Sequence, residues 1–238
     1  MIDLRLGDCL EVMKTIKSNS IDAIITDPPY GTTACKWDSV IDFNLMWEQL
    51  NRIIKPNGAI VLFGSEPFSS ALRMSNIKNY KYDWKWNKQR GSNFATVKIR
   101  PFNSCEDILV FYRKQCVYNS QKTKGKAYKR KQSKIGDFKS DMKAKTKNIE
   151  TINHGFRYPL SILNYPMVGQ TNKLHNTQKP LPLMEYLIKT YTNENETVLD
   201  FTMGSGTTML ACKNLNRNGI GIEMDANYYA VAVARVDS

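Results

Sequence analysis

The chain has 238 residues, 42% of them hydrophobic and 24% charged, and carries a formal net charge of +12. That length fits one domain, or one domain with an insertion, and suffices to bury a sizeable core. The composition is that of a soluble globular protein, no stretch approaches the roughly 18 apolar residues of a membrane helix, and Met1-Ile2-Asp3-Leu4-Arg5 reads as structured sequence rather than a signal peptide.

The charge implies a polyanionic partner, most simply nucleic acid. Five scattered cysteines (Cys9, Cys35, Cys105, Cys116 and Cys212) form no C-x-x-C pair, and His154 and His175 have no ligand-like spacing. The expectation is a cytoplasmic, reduced and metal-free protein.

Leu4-Arg5-Leu6 is a strand candidate ending at Gly7-Asp8, and Leu10, Met13 and Ile16 fall roughly on one face of a helix that follows. The apolar run from Ile21 to Thr26 predicts a buried strand that delivers Asp27-Pro28-Pro29-Tyr30. Ligands in open α/β sheets bind outside the carboxyl ends of the strands. Two prolines stiffen the turn there. It can present one carboxylate, one free carbonyl and one aromatic face, which is the set a planar base with an exocyclic amine requires. An ordinary strand-to-loop turn carries the same punctuation.

Phe43, Met46, Trp47, Leu50, Ile53 and Ile54 mark an amphipathic helix stopped by Lys55-Pro56-Asn57-Gly58. Ala59 to Phe63 then predicts a strand covered on both faces. This alternation is the α/β pattern with a parallel sheet. Tyr80, Tyr82, Trp84 and Trp86 alternate with polar residues, and Ile108 to Tyr112 is apolar. The two predict an antiparallel pair at one edge of the sheet, with Trp84 and Trp86 in the core.

Between Gln121 and Lys147 stand 11 basic and 2 acidic residues, a balance of +9. Tyr118, Tyr128 and Phe138 are interleaved with them. Such a run in isolation is usually a solvated loop. Beside a base-binding site it suits phosphate tracking, with Lys122, Lys124, Lys126, Lys129, Arg130, Lys131 and Lys134 as candidate DNA contacts.

Regular patterning returns after about Arg157. His175-Asn176-Thr177-Gln178-Lys179-Pro180 precedes a helix marked by Met184, Leu187, Ile188 and Tyr191. Thr197-Val198-Leu199 is a strand that ends in Asp200-Phe201-Thr202-Met203-Gly204-Ser205-Gly206-Thr207-Thr208. A helix, the strand Gly219 to Glu223 and a last helix through Tyr229, Ala232, Val233 and Val236 complete the chain. Gly204 and Gly206 let a ligand approach the backbone, and the helix N-terminus beyond offers free N–H groups. Glu223 lies 17 residues past Gly206, near the ~20 of a ribose-holding carboxylate. Met209 stands where a dinucleotide fingerprint has its third glycine, so a nucleoside without a pyrophosphate fits better than NAD.

These motifs, in this order, resemble the β group of the S-adenosylmethionine-dependent amino-methyltransferases of DNA, bacterial or phage. Asp27-Pro28-Pro29-Tyr30 resembles the catalytic D-P-P-Y, Asp200 to Thr208 the cofactor loop D-P-F-x-G-S-G-T-T, and His175 to Pro180 the segment H-P-T-Q-K-P. Gly7-Asp8 resembles the G-D pair that opens many members. Phe201-Thr202 departs from the family's Pro-Phe, and Asn176 replaces a proline.

The resemblance implies a Rossmann-like, mostly parallel seven-stranded sheet with helices on both faces, an antiparallel edge and a circularly permuted motif order. Residues 1–116 would form the catalytic half, 117–156 a basic target-recognition insertion and 157–238 the cofactor half. Asp27 and the Pro28 carbonyl would accept from the adenine amine, beside Pro29, and Tyr30 would stack on the extruded base. Asp8, with Cys9 beside it, would take the cofactor's adenine and Glu223 its ribose. Asp27, Asp200, Phe201, Thr202 and the turn Gly204-Ser205-Gly206-Thr207 would cradle its methionine end, and Lys179 its carboxylate. Helix capping by Asp8 and a solvated turn at Lys179 are the plainer readings.

The leading Asp favours adenine-N6 over cytosine-N4 in double-stranded DNA, with RNA as a third substrate and a non-catalytic basic nucleic-acid-binding protein as the reading from another class. Cytosine-C5 chemistry needs a cysteine nucleophile, usually after a proline, and no cysteine here follows one. The target sequence stays open. So does the setting: restriction companion, solitary enzyme or phage enzyme. Oligomeric state is also open, although members of this group often pair as homodimers.

Overall fold

The computed structural model describes residues 1–32, 38–91, 93–131, 150–169, 171, 173–175 and 177–237. It falls into two compact units, Met1–Asn119 with Ser161–Ser238, and Ser120–Leu160. The first unit begins with β1 (Ile2–Leu6), α1 (Cys9–Lys14), β2 (Ile21–Thr26), α2 (Phe43–Ile53), β3 (Ile54–Gly64), α3 (Phe68–Ser75), β4 (Tyr80–Asn87) and β5 (Cys105–Phe111). The second holds β6 (Thr123–Lys124), β7 (Tyr128–Lys131), β8 (Glu150–Asn153) and β9 (Phe156–Arg157). The first resumes with β10 (Ile162–Asn164), α4 (Leu181–Tyr191), β11 (Thr197–Asp200), α5 (Thr207–Asn214), β12 (Asn218–Glu223) and α6 (Ala226–Asp237).

Among the described residues one sheet of eight strands runs in the order β1-β12-β11-β2-β3-β5-β4-β10. The members from β1 to β3 are parallel. β5 pairs antiparallel with β3 and with β4, and β10 is parallel to β4. This is the Rossmann-like arrangement, with one strand beyond the seven anticipated. The extra strand β10 pairs Ile162, Leu163 and Asn164 with Lys85, Trp86 and Asn87, and three residues are too few to carry a period-2 signal. β3 starts at Ile54 rather than Ala59: Ile54 pairs with Ile21, the register shifts, and regular pairing resumes at Ala59 opposite Ala23. Pro56 is tolerated in the irregular stretch, where no ladder donor is required.

Successive residues of the central strands enter opposite layers, as the strand period demands. Ala23, Ile25, Val61 and Phe63 pack with Leu187, Ala211 and Val236 from α4, α5 and α6. Ile24, Ile60 and Leu62 pack with Met13, Leu50 and Phe68 from α1, α2 and α3. Trp84 and Trp86 are buried, as expected. α3 escaped the pattern reading because its eight residues bury only Phe68, Ser69 and Leu72. Among the described residues no helix is long and apolar enough to cross a membrane.

In the second unit, β6 pairs antiparallel with β9, and β7 with β8. The Arg157 guanidinium bonds the Lys126 carbonyl at 2.6 Å and lies 5.0 Å from the Tyr128 ring. Lys122, Lys124, Lys126, Lys129 and Arg130 are exposed, and Lys131 closes β7. Lys134, the rest of the basic run between 132 and 149, and Asn176 lie outside the described residues.

Candidate active site

The carboxyl ends of β1, β12, β11 and β2 share one edge of the sheet, and a cavity of about 520 Å³ opens there. That volume suits a ligand of nucleoside size. Asp8, Cys9, Asp27, Pro28, Pro29, Tyr30, Lys179, Asp200, Phe201, Thr202, Gly204, Ser205, Thr207 and Glu223 all line it. Residues chosen from four separated motifs, with Glu223 besides, thus meet at one site.

Asp27-Pro28-Pro29-Tyr30 leaves β2 and is fastened from two sides. Thr26 Oγ1 donates to Asp200 Oδ1 at 2.5 Å and lies 2.7 Å from Thr202 Oγ1, which in turn donates to the Asp27 carbonyl at 3.0 Å. On the other side the Asp38 carboxylate accepts from the backbone N–H groups of Tyr30, Gly31 and Thr32 at 2.8, 2.8 and 2.9 Å. Nothing in the sequence marked Asp38, because its partners are backbone groups. One face of Tyr30 is covered by Phe68, with ring centroids 5.0 Å apart.

Removing the Asp38 carboxylate strands three donors in a partly buried turn. Asp38→Ala is expected to cost about 2–4 kcal/mol in urea unfolding and to lower kcat more than cofactor affinity. A variant as stable as the parent would refute the bracing role.

Four charged side chains gather at the floor. Asp27 accepts from the Tyr30 hydroxyl and from Lys179 Nζ. Lys179 also pairs with Glu106 at 3.4 Å, and Glu106 with the buried Lys88 at 3.3 Å. The Lys179 ammonium lies 5.0 Å from the Phe63 ring, 5.8 Å from Trp86 and 6.0 Å from Tyr30, an aromatic cradle for a cation. Burial pushes the Asp27 carboxyl up, against the pull of Lys179. Burial alone would lower the Lys179 ammonium, but Asp27 and Glu106 together hold it above its ordinary value. Burial would raise Glu106, but Lys179 and Lys88 hold it low. Lys179, read from the sequence as a partner for the cofactor carboxylate, thus has its amine on two protein carboxylates. Glu106 and Lys88 carried no sequence signal.

The loop after β11 is built on two glycines in left-handed conformations, Gly204 at φ +52° and Gly206 at φ +75°. Gly206 does not line the cavity. It lies against α6, where a Cβ would stand 3.0 Å from that of Ala232. Arg235 of α6 donates to the Ser205 carbonyl at 3.2 Å and to Thr207 Oγ1 at 2.8 Å, a clamp with no sequence signature. Glu223 accepts from the Gly204 and Asp225 N–H groups, each at 2.9 Å. Asp8 caps α1, accepting from Leu10 and Glu11 at 2.9 and 3.1 Å, while also lining the cavity. The Cys9 thiol is pushed up to about 12 by burial and by the Asp8 charge, which leaves it unreactive. Phe201 is buried beside Ile24, Leu199 and Ile222.

Asp200 accepts from Thr26, from Thr208 and from the Thr202 N–H. Burial nonetheless raises its carboxyl to about 6. A carboxyl that protonates more easily when folded favours the folded state at low pH. Its contribution therefore falls as pH rises from about 4 to about 6, by as much as about 3 kcal/mol. Asp200→Asn is expected to lose less stability than the parent across that interval in urea titrations, and equal slopes would refute the assignment.

Residues 21–234 match the family described as DNA methylase. The chain belongs to that family. It is 31% identical to the type II methyltransferase M.HpaI of Haemophilus parainfluenzae over 257 positions, covering all of this chain and 75% of that protein. Identity to the type II methyltransferase M1.MboII of Moraxella bovis is 26%, over 93% of this chain and 91% of the relative. The solved M1.HpyAVI-SAM complex matches with TM-score 0.66 and 32% identity over the whole of both chains. The cytosine-N4-specific PvuII DNA methyltransferase shares the fold, with TM-score 0.70 and 19% identity over 98% of this chain and 86% of that one.

DNA methylases of this family depend on S-adenosylmethionine, and the donor set of the cavity fits that group. Glu223, held by two backbone N–H groups, keeps acceptor capacity of the kind a ribose diol would take. The carboxylates of Asp8, Asp27, Glu106, Asp200 and Glu223 outnumber the lining lysines Lys88, Lys173 and Lys179, which suits a sulfonium and an ammonium.

Proposed function

We propose that this methylase transfers a methyl group from S-adenosylmethionine to the N6 amine of adenine in a specific sequence of double-stranded DNA, within the bacterial cytoplasm and in the setting of restriction and modification. The observation that carries the reading is the Asp27 carboxylate held at the floor of the cavity that also receives the loop from Asp200 to Thr207. Glu223 and Asp8 would hold the nucleoside of the cofactor, and Asp200, Phe201, Thr202, Gly204, Ser205 and Thr207 its methionine end. When bound, the cofactor supplies an electrophilic methyl on a sulfonium.

The protein's own part is to prepare the amine, whose lone pair is delocalised into the purine ring. Each Asp27 oxygen already holds one donor, Tyr30 or Lys179, and keeps lone-pair capacity for an N–H of the base. Asp27 and the Pro28 carbonyl accept the two amine hydrogens and draw the nitrogen toward a tetrahedral shape. Pro29 fixes that carbonyl's direction, and Tyr30 stacks on the base, which must leave the duplex for this chemistry. Holding the amine in line for transfer supplies much of the rate. Adenine is preferred to cytosine on the leading Asp of the tetrapeptide.

Incubation with unmodified duplex DNA and labelled cofactor, followed by digestion and mass spectrometry of the nucleosides, tests the reading. N6-methyladenine is expected. N4-methylcytosine would replace it with the alternative amine, and transfer to RNA alone would change the polymer.

Lys122, Lys124, Lys126, Lys129, Arg130, Lys131 and Lys134 are proposed to track the phosphate backbone. Replacing the first four with alanine should lower the slope of log affinity against log salt by about 3 to 4, and an unaltered slope would assign the run to solvent. Two copies are proposed to pair, and light scattering should then give twice the chain mass.

A further inference from the structure

Between β4 and β5 the described residues 88–91 and 93–104 form a loop whose two feet stand at the active site. Lys88 at one end and Glu106 just past the other both line the cavity that contains Asp27. β4 is parallel to β3, so its end, like that of β2, reaches the catalytic edge, and the antiparallel β5 starts from the same edge.

The loop contains no acidic residue. Arg90, Lys98 and Arg100 are exposed. So are several large apolar side chains: Phe94 is 60% exposed, Phe102 50% and Ile99 84%. Exposed apolar side chains on a loop rooted at a site point to a partner surface. A protein partner would bury the flanking cations at a cost. A polyanion would pair with them.

The loop is also internally built. Asn93 is its hub: its side-chain amide donates to the Pro101 carbonyl at 3.0 Å and to Thr96 Oγ1 at 3.1 Å, and its side-chain oxygen accepts from the Asn103 N–H at 2.6 Å. The Ile99 and Arg100 N–H groups both bond the Thr96 carbonyl at 3.0 Å. Phe94 and Phe102 meet edge to face, 5.3 Å between centroids. A braced base thus presents Lys98, Ile99 and Arg100 as consecutive exposed residues: an apolar tip between two cations.

We propose that this loop is a second DNA-contacting element, in which Ile99 enters the duplex at the step vacated by the extruded base while Lys98 and Arg100 hold the phosphates on either side. The proposal rests on the duplex-DNA reading above. Extruding a base leaves an unstacked gap, and an apolar side chain that fills it offsets the lost stacking. The phosphates flanking the gap supply the complementary charge.

The test uses the full chain and three proteins: the parent, Ile99→Ala, and Lys98→Ala with Arg100→Ala. Single-turnover methylation is measured on a fully paired duplex and on the same duplex with an abasic site opposite the target base. Duplex affinity is measured across a salt series, and cofactor affinity by calorimetry. Ile99→Ala should slow transfer on the paired duplex by about tenfold or more and recover most of the loss on the abasic duplex, where opening the pair costs little. The double variant should lower the salt slope by about 2. Cofactor affinity should be unchanged in both.

Equal losses on the two duplexes would reduce Ile99 to a structural part of the loop and overturn the wedge. Parent-like behaviour of both variants on DNA would overturn the contact altogether and leave the loop to a protein partner. A parent that neither binds nor methylates duplex DNA would sink the functional reading, and the loop proposal with it. A parent that methylates cytosine instead leaves the loop test readable on that base.

Discussion

Asp27→Asn is expected to reduce methyl transfer by about 10²–10³-fold, the scale lost when one aligned polar group is removed from a reacting centre. The asparagine oxygen can still accept from the Tyr30 hydroxyl. Its amide nitrogen, however, is a donor facing two other donors, Lys179 and the substrate amine. On the proposed mechanism, the negative charge that would stabilise the developing positive charge on the attacking nitrogen is also gone. Loss of the Asp27–Lys179 pair should destabilise the fold by about 3 kcal/mol, moderated because Glu106 still accompanies Lys179. Cofactor affinity should change by much less than kcat. Calorimetry with the cofactor and single-turnover mass spectrometry separate the two quantities. A variant that keeps its parent's transfer rate would remove Asp27 from the chemistry.

Lys179→Met should have the largest effect on the fold itself. The parent floor is balanced, with Asp27 and Glu106 against Lys179 and Lys88. Without the Lys179 ammonium, Asp27 faces the charge of Glu106 in low-dielectric surroundings beside Phe63 and Trp86. The expected cost near pH 8 is about 3–5 kcal/mol.

The pH dependence carries the sign. Asp27 and Glu106, with Lys88 but not Lys179 beside them, hold a proton more tightly folded than unfolded, so the variant should be most stable at low pH. It should lose stability as pH rises through their elevated titration range. A double variant with Glu106→Gln removes the second negative charge and should regain much of the loss near pH 8. If Lys179→Met unfolds no more readily than its parent, or if Glu106→Gln restores nothing, the balance described at the floor is not what holds it together.

The scaffold was legible where hydrophobic period is strong. The runs Ile21–Thr26 and Ala59–Phe63 had to be covered strands, and that alone set Asp27 at a carboxyl edge. Asp200 and Glu223 followed by the same logic, each the last residue of its strand. The rule also explains what it missed. Glu106 lies at the beginning of its strand, not the end, yet β5 runs antiparallel and so delivers it to the same edge. A search confined to strand ends passes over it. Asp38 was invisible for another reason, since backbone N–H groups carry no mark of which carboxylate will satisfy them. Lys179 came with its motif, but a motif names a residue and not its neighbours. Only the folded chain brings residue 179 to residue 27, across 152 positions.

The tie between β2 and β11 has a consequence for heredity. Thr26, Asp27, Asp200 and Thr202 are bonded as one set, although 173 positions separate its first two members from its last two. Recombination between relatives with a crossover in the insertion would inherit the two pairs from different parents. Such a chimaera would work only when the hydroxyl from each parent, Thr26 or Thr202, finds its acceptor, Asp200 or the residue-27 carbonyl, in the other. The unit that descends intact is neither motif alone but this bonded quartet, and parents that differ at Thr26, Asp200 or Thr202 should yield recombinants that fold without catalysing.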